Sequence, residues 1–302
     1  MAHSVGPMSF RLQVTRMIGF CLAGGAFLGL AVQPQIQART QASTSSENAP
    51  GDSRKEVAGK AVSVEIPVVN YYASGGESKV DFIPTALMPS AKGQGRVKIL
   101  KNGSVSVEAQ FTGLGSATKF GNEFLTYVLW GAVPKGRTLK IGELSAQGAS
   151  RQVVATTVLR TFAMLVTAEP YAAVTQPSSI VIFKGASPAG DTTQTEAAQI
   201  ELLGDAYAPP GYNYEPLDTS SGYAPELIQA MNARRIAKVL QAEKYAPQEF
   251  RSAEDFYQYM VASAIQGKQV SKQLLKTAEN AAQSYEHARA VSIRLQNNLQ
   301  KQ

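Results

Sequence analysis

Three glutamates stand where an acid–base pair could be sought: Glu123, Glu143 and Glu169, spread along a stretch rich in strand-forming residues. Paired carboxylates about 5 to 10 Å apart cleave glycosidic bonds, one as acid and the other as base or nucleophile. Spacing along the chain does not set that separation. Glu169, between Ala168 and Pro170, has the setting of a residue that bonds a turn. Nucleophilic and metal chemistry find less. The chain holds one cysteine, Cys21, and two histidines, His3 and His287, too few for a disulfide framework or a thiolate and imidazole zinc site. His287, near Glu286 and Arg289, fits a solvated helix face. No Ser, His, Asp order typical of hydrolases is discernible, and Gly113-Leu-Gly115 lacks the strand-to-helix setting of a phosphate loop. These residues point to a protein that is not an enzyme and carries no cofactor and no metal, with a glycoside hydrolase as the distant alternative.

The chemistry-bearing residues sit in an ordinary folding chain. Its 302 residues are 44% hydrophobic, 17% charged and 8% aromatic, which excludes collagen-like and fully disordered classes. At roughly 100 to 200 residues per domain, two folded bodies are expected. The 29 Lys+Arg exceed the 23 Asp+Glu only modestly, and no basic run is dense enough to track a phosphate backbone, so nucleic acid is not an expected partner.

Arg11 and Arg16 precede an uncharged run, Met17 to Val32, and small residues follow at Ala38 and Ala42. That order is the layout of a secretory signal peptide, here 1–38 with cleavage after Ala38. The run is short for a bilayer span of about 20 residues. Export to the periplasm or cell envelope is expected, with membrane contact only if the segment stays uncleaved as an anchor. Residues 39–59 are polar and lack apolar periodicity, as in a disordered tether.

From residue 60 the pattern has period two. Val62, Val64 and Ile66 alternate with Ser63 and Glu65, and Val97, Ile99, Val105 and Val107 continue the alternation. Asn102-Gly103 predicts a two-residue hairpin of type I′. Phe124 to Val133 reads as a central strand, with Trp130 in the core. Further strands are expected at Thr138 to Leu144, Gln152 to Leu159, Thr161 to Ala168 and Ser179 to Phe183. Seven or eight short strands without crossover helices predict an antiparallel immunoglobulin-like β-sandwich over 60–184.

Residues 185–221 form an acidic, Tyr/Pro-rich linker carrying Tyr207, Pro209, Pro210, Tyr212, Tyr214 and Pro216. It reads as a solvated connector, or as a strap docked by its rings. After Tyr223 the period turns helical, giving a helical hairpin or three-helix bundle over 222–302 and an α+β chain overall. Helix one should run from Pro225 to Tyr245, helix two from Pro247 to Gly267 and helix three from Val270 to Leu299. The last carries Leu274, Ala278, Ala281, Tyr285, Ala288, Ser292, Leu295 and Leu299 in a seam of coiled-coil type. Its far end asks for a partner, so Leu295 and Leu299 are candidate contacts for a homo-oligomer. Tyr207, Tyr212, Tyr214 and Tyr223 are candidate contacts for a partner protein or glycan.

The runs Phe124 to Arg137, Ile141-Gly-Glu143, Phe162 to Tyr171 and Ala173 to Ser178 resemble a β-rich module of exported bacterial envelope proteins, found in relatives ahead of a peptidoglycan-binding domain of the OmpA family. Tyr245 to Glu254, with the Ala-rich helix after it, resembles a helical domain of unknown function in envelope lipoproteins and OmpA-family proteins. The resemblance implies an envelope interaction or structural role and supplies no catalytic residue. No peptidoglycan-binding domain is expected after the helices, so wall attachment is not carried over from the resemblance. Partners are therefore expected among envelope proteins or, alternatively, cell-wall glycan or peptidoglycan.

Overall fold

The computed structural model describes residues 62–73, 76–134, 136–186, 194–204, 207–220, 222–265 and 270–302. The expected signal peptide, 1–38, and tether, 39–59, lie outside the described residues. The fold is α+β: among the described residues, eleven strands of one mostly antiparallel sheet, then helices.

The strands follow the alternation of apolar and polar residues. They are β1 (Val62–Asn70), β2 (Glu77–Pro84), β3 (Lys92–Ile99), β4 (Val105–Thr112), β5 (Thr126–Ala132), β6 (Thr138–Glu143), β7 (Ser145–Gln147), β8 (Ser150–Thr157), β9 (Thr161–Glu169), β10 (Val181–Ala186) and β11 (Gln194–Leu202). Their order is β11-β1-β9-β10-β2-β3-β4-β8-β7, with β5 paired to β9 and β6 to β5. Only Leu144 separates β6, which lies on β5, from β7, which lies on β8. This single bent run draws the two ends of the sheet together, and the result is nearly a barrel. An immunoglobulin-like sandwich predicts two separate sheets; here β9 serves β5 along its length and β10 and β1 in succession, so hydrogen bonding connects every described strand.

All seven residues of β5 are buried, as expected of a central strand. A ring cluster from β2, β4 and β10 lies in the buried core, with Phe82 4.9 Å and Phe183 5.1 Å from Phe111 between centroids. Gly93 in β3 makes room for it: a Cβ there would lie 2.6 Å from Phe111 Cδ1 and 2.8 Å from Phe82 Cβ. Gly93→Ala is therefore expected to destabilise the protein by about 1–3 kcal/mol through overpacking, read as a lower thermal midpoint. An unchanged midpoint would mean that the rings have space to move.

The Asn102-Gly103 turn differs from expectation. Leu100 N–H donates to Ser104 O (2.8 Å) and Gly103 N–H to Leu100 O (2.9 Å), so the loop has three residues, not two. Only Gly103 takes a positive φ, +78°. Asn102 instead uses its Oδ1 to accept from Ser104 N–H (3.1 Å) and Oγ (2.7 Å), an alternative to a left-handed backbone that asparagine side chains offer.

Strand β11 falls inside 185–221, where the acidic composition had masked its alternation of buried Ala198, Ile200 and Leu202. Among the described residues four helices follow: α1 (Pro225–Val239), α2 (Ala242–Tyr245), α3 (Pro247–Ile265) and α4 (Lys272–Gln300). The expected single helix to Tyr245 is broken at Gln241, whose φ of 56° is left-handed. There the Leu240 carbonyl leaves the helix and accepts from Ser292 Oγ (2.9 Å) and Gln296 Nε2 (3.0 Å) of α4. Helix α4 packs against both α1 and α3. Its seam is buried from Leu274 to Ser292 and then drifts onto Gln296, leaving Leu295 and Leu299 38% and 59% exposed. A straight helix loses a 3.5-residue repeat by about 20° per heptad, which accounts for the drift. No helix among the described residues is long and apolar enough to cross a membrane. The described residues all belong to one compact unit.

Candidate functional site

The densest gathering of polar side chains lies where the end of β9 meets the segment 207–216 and helices α1 and α4. Burial of hydrogen-bonding groups requires partners, and here each finds one within the chain. Trp130 Nε1–H can only donate, and it does so to Thr167 Oγ1 at 2.8 Å. The Thr167 hydroxyl in turn donates a hydrogen bond to Glu169 Oε1. Ser178 N–H donates to the same oxygen (2.8 Å), and Tyr207 Oη–H reaches Oε2 (3.2 Å). Tyr207 is held in turn, because Tyr214 Oη–H donates to its carbonyl at 2.5 Å. Glu169 has no exposed surface, and burial pushes its carboxyl from the ordinary 4.5 up to about 8 against the pull of the three donors.

A second carboxylate lies on α4. Glu286 accepts from Arg289 Nε (2.7 Å) and an Nη (2.8 Å), from Tyr171 Oη–H (2.8 Å) and from Thr175 Oγ1–H (2.7 Å) and N–H (3.2 Å). Both members of this ion pair are almost wholly buried. Burial pushes the Glu286 carboxyl up, but the Arg289 guanidinium and these donors hold it below the ordinary range. The guanidinium also lies over the Tyr207 ring, 5.0 Å from its centroid, which links the two carboxylate clusters.

Helix α1 adds a third set. Gln229 accepts from Ala172 N–H (2.5 Å) and donates to Glu143 Oε1 (2.7 Å), which also accepts from Thr126 Oγ1–H (2.5 Å). Asn232 Nδ2 donates to the carbonyls of Glu123 and Pro170, both at 2.7 Å. Arg235 donates to the carbonyls of Glu215 (2.5 Å) and Asn122 (2.6 Å) and lies over the Tyr214 ring. Strands, strap and helices are thus tied through side-chain bonds to main chain, an arrangement that fixes geometry and offers Glu169 and Glu286 no exposed surface to present to a substrate.

The three glutamates of the sequence reading end up in different roles. Glu169 is sealed, Glu143 is engaged by Gln229, and Glu123 contributes its carbonyl. His287 is exposed on α4. Of the candidate contact residues, Tyr207 and Tyr214 are buried, so these two rings face the chain's own interior, while Tyr212, Tyr223, Leu295 and Leu299 stay exposed. The sequence reading missed Glu286, Arg289, Gln229 and Asn232. A signal for the first two exists: opposite charges three apart, flanked by the seam residues Tyr285, Ala288 and Ser292, lie on the buried flank of α4. Among the described residues no group of three His, Cys, Asp or Glu could hold a metal ion. Comparison with protein-family models, with curated proteins and with solved structures finds no match.

Proposed function

We propose that this chain is a non-enzymatic, exported cell-envelope protein with a structural or protein-interaction role. One observation carries the reading: the polar groups with the most chemical potential, Glu169, Glu286 and Arg289, are used inside the fold to join strands to helices. A body braced in this way suits holding partners at fixed spacing. In this reading opposite walls of the curled sheet pack face to face in the manner of an immunoglobulin-like sandwich, and the helices act as an antiparallel bundle. The apolar run Met17 to Val32 supports delivery to the periplasm or envelope. Leu295 and Leu299 are the surface through which a second copy or an envelope protein would attach.

Fractionation of cells expressing the full chain, with cross-linking before lysis, tests this reading. Recovery in the envelope fraction with cross-links on Leu295 or Leu299 neighbours is expected. A cytosolic protein, or one that releases soluble fragments from cell wall and stops doing so as Glu143→Gln, would overturn it. Glycan binding is the second reading. Its aromatic route would have to run through Tyr212 and Tyr223, since Trp130, Tyr207 and Tyr214 are buried.

A further inference from the structure

Strand β11 is the edge of the sheet, and the parity of its pairing decides which of its main-chain groups are free. In β1 the odd residues face β9: beyond the pair Val69–Phe162, Tyr71 N–H donates to Arg160 O at 3.0 Å. The even residues therefore face β11, which leaves Pro67, without an N–H, off that ladder. Through the register Val62–Leu202, Val64–Ile200 and Ile66–Ala198, the even residues of β11 are engaged. The main-chain groups of Gln199, Glu201 and Leu203 consequently point away from the sheet.

Two of these three positions are covered by the chain itself. Leu203 N–H donates to Pro177 O at 2.8 Å, in a parallel bridge. The Gln199 carbonyl lies so close to Gly136, at φ +81°, that a Cβ there would overlap it. Between these caps the N–H and C=O of Glu201 face a recess of about 470 Å³, lined by Arg137, Thr138, Thr175, Gln176, Gln199 and Glu201 itself. An unpaired strand edge is a template for another backbone. At about 3.3 Å per residue the open stretch admits only one or two peptide units. Arg137 has no ion-pair partner among the described residues. A second recess of about 340 Å³, sharing Thr175 and Gln176, adds Arg294 and Lys301, also unpaired among the described residues.

We propose that this recess binds a short peptide with a free C-terminal carboxylate, its backbone adding to the β11 edge at Glu201 and its carboxylate meeting Arg137. The carboxylate follows from the three cations of the two adjoining recesses, Arg137, Arg294 and Lys301, against the one carboxylate of Glu201, and the short length from the caps at Gln199 and Leu203. The Glu201 side chain is exposed, and in a strand it stands on the sheet face, off the edge where the peptide pairs. The inference goes beyond the envelope role and applies to the purified protein wherever it resides.

The test is an NMR titration of the isotope-labelled protein with N-acetyl-Ala-Ala carboxylate. Saturable shifts at the Gln199 and Glu201 amides are expected, with affinity about tenfold weaker for the C-terminal amide of the same peptide and for Arg137→Ala. Glu201→Gln should bind normally. Glu201→Pro, which removes only an outward N–H and is tolerated on edge strands, should not bind. Absence of shifts at Glu201, or equal affinity for carboxylate and amide with undiminished binding by Arg137→Ala, would overturn the proposal. Should Glu201→Pro unfold, the Arg137→Ala and amide arms decide.

Discussion

Arg289→Ala is expected to destabilise the protein by about 3–5 kcal/mol, because it leaves the Glu286 carboxylate buried without its counter-charge. In the native protein that carboxylate has essentially no contact with water, and it accepts from Arg289, Tyr171 and Thr175 together. Removing the guanidinium deletes two of its bonds and also the cation over the Tyr207 ring. The remaining neutral donors cannot replace a full positive charge in a dry site. Denaturant midpoints of wild type, Arg289→Ala and the double variant Arg289→Leu/Glu286→Leu separate this cause from lost packing. Removing both charges should restore much of the loss, since the desolvation cost disappears with them. If the double variant were no more stable than Arg289→Ala, packing, not charge, would be the cause.

The second large effect concerns pH. The Glu169 carboxyl is raised from 4.5 to about 8, first because it is buried, with Thr167, Ser178 and Tyr207 pulling the other way and Glu286 adding a small upward push. Tyr171, Arg289 and Glu286 surround the Tyr207 side of this carboxyl, and Trp130 and Thr167 the other. An acid that binds its proton more tightly when folded makes stability fall as pH rises, from the unfolded value to the folded one. The contribution is complete below about pH 4.5, declines through pH 8 and is flat above, for a total on the order of 5 kcal/mol at about 1.4 kcal/mol per unit. Glu286 acts oppositely. Its lowered value contributes above the ordinary carboxylate range and is lost as pH falls through the folded value. Glu169→Gln keeps an acceptor for Thr167 and Ser178 and removes the ionisation. Its stability should be nearly level between pH 5 and pH 8.5, and above that of wild type at pH 8.5, by urea unfolding. Parallel profiles for the two proteins would show that Glu169 is not the titrating group.

Much of the strand body is legible in the alternation of residues, and the continuous apolar run of β5 marks a central strand because a strand covered on both sides has no polar face. The curl of the sheet is not legible, since it depends on Leu144 bending one run between two neighbours, a geometry without a residue signature. Strand β11 was hidden by composition: Glu201 and Gln199 alternate with Ile200 and Leu202, and the count of acidic residues outweighed the period. Tyr207 and Tyr214 stand out in the sequence, but their inward orientation is decided by Glu169 and Arg235, partners distant in sequence. The Glu286–Arg289 pair shows the same limit. Two charges on a helix read as a surface feature until Tyr171 and Thr175, more than a hundred residues earlier, are known to face them.

Buried polar contacts join the strand body and the helices, and the two should unfold as one cooperative unit. Trp130, the sole tryptophan, reports on the strands, whereas far-ultraviolet circular dichroism at the helical minimum reports mostly on α1, α3 and α4. Equilibrium unfolding in urea, followed by both signals on the same samples, tests it directly. Coincident transitions with one midpoint, lowered together by Arg289→Ala, are expected. Two separated transitions in the wild-type protein, with helices melting while Trp130 stays buried, would contradict it.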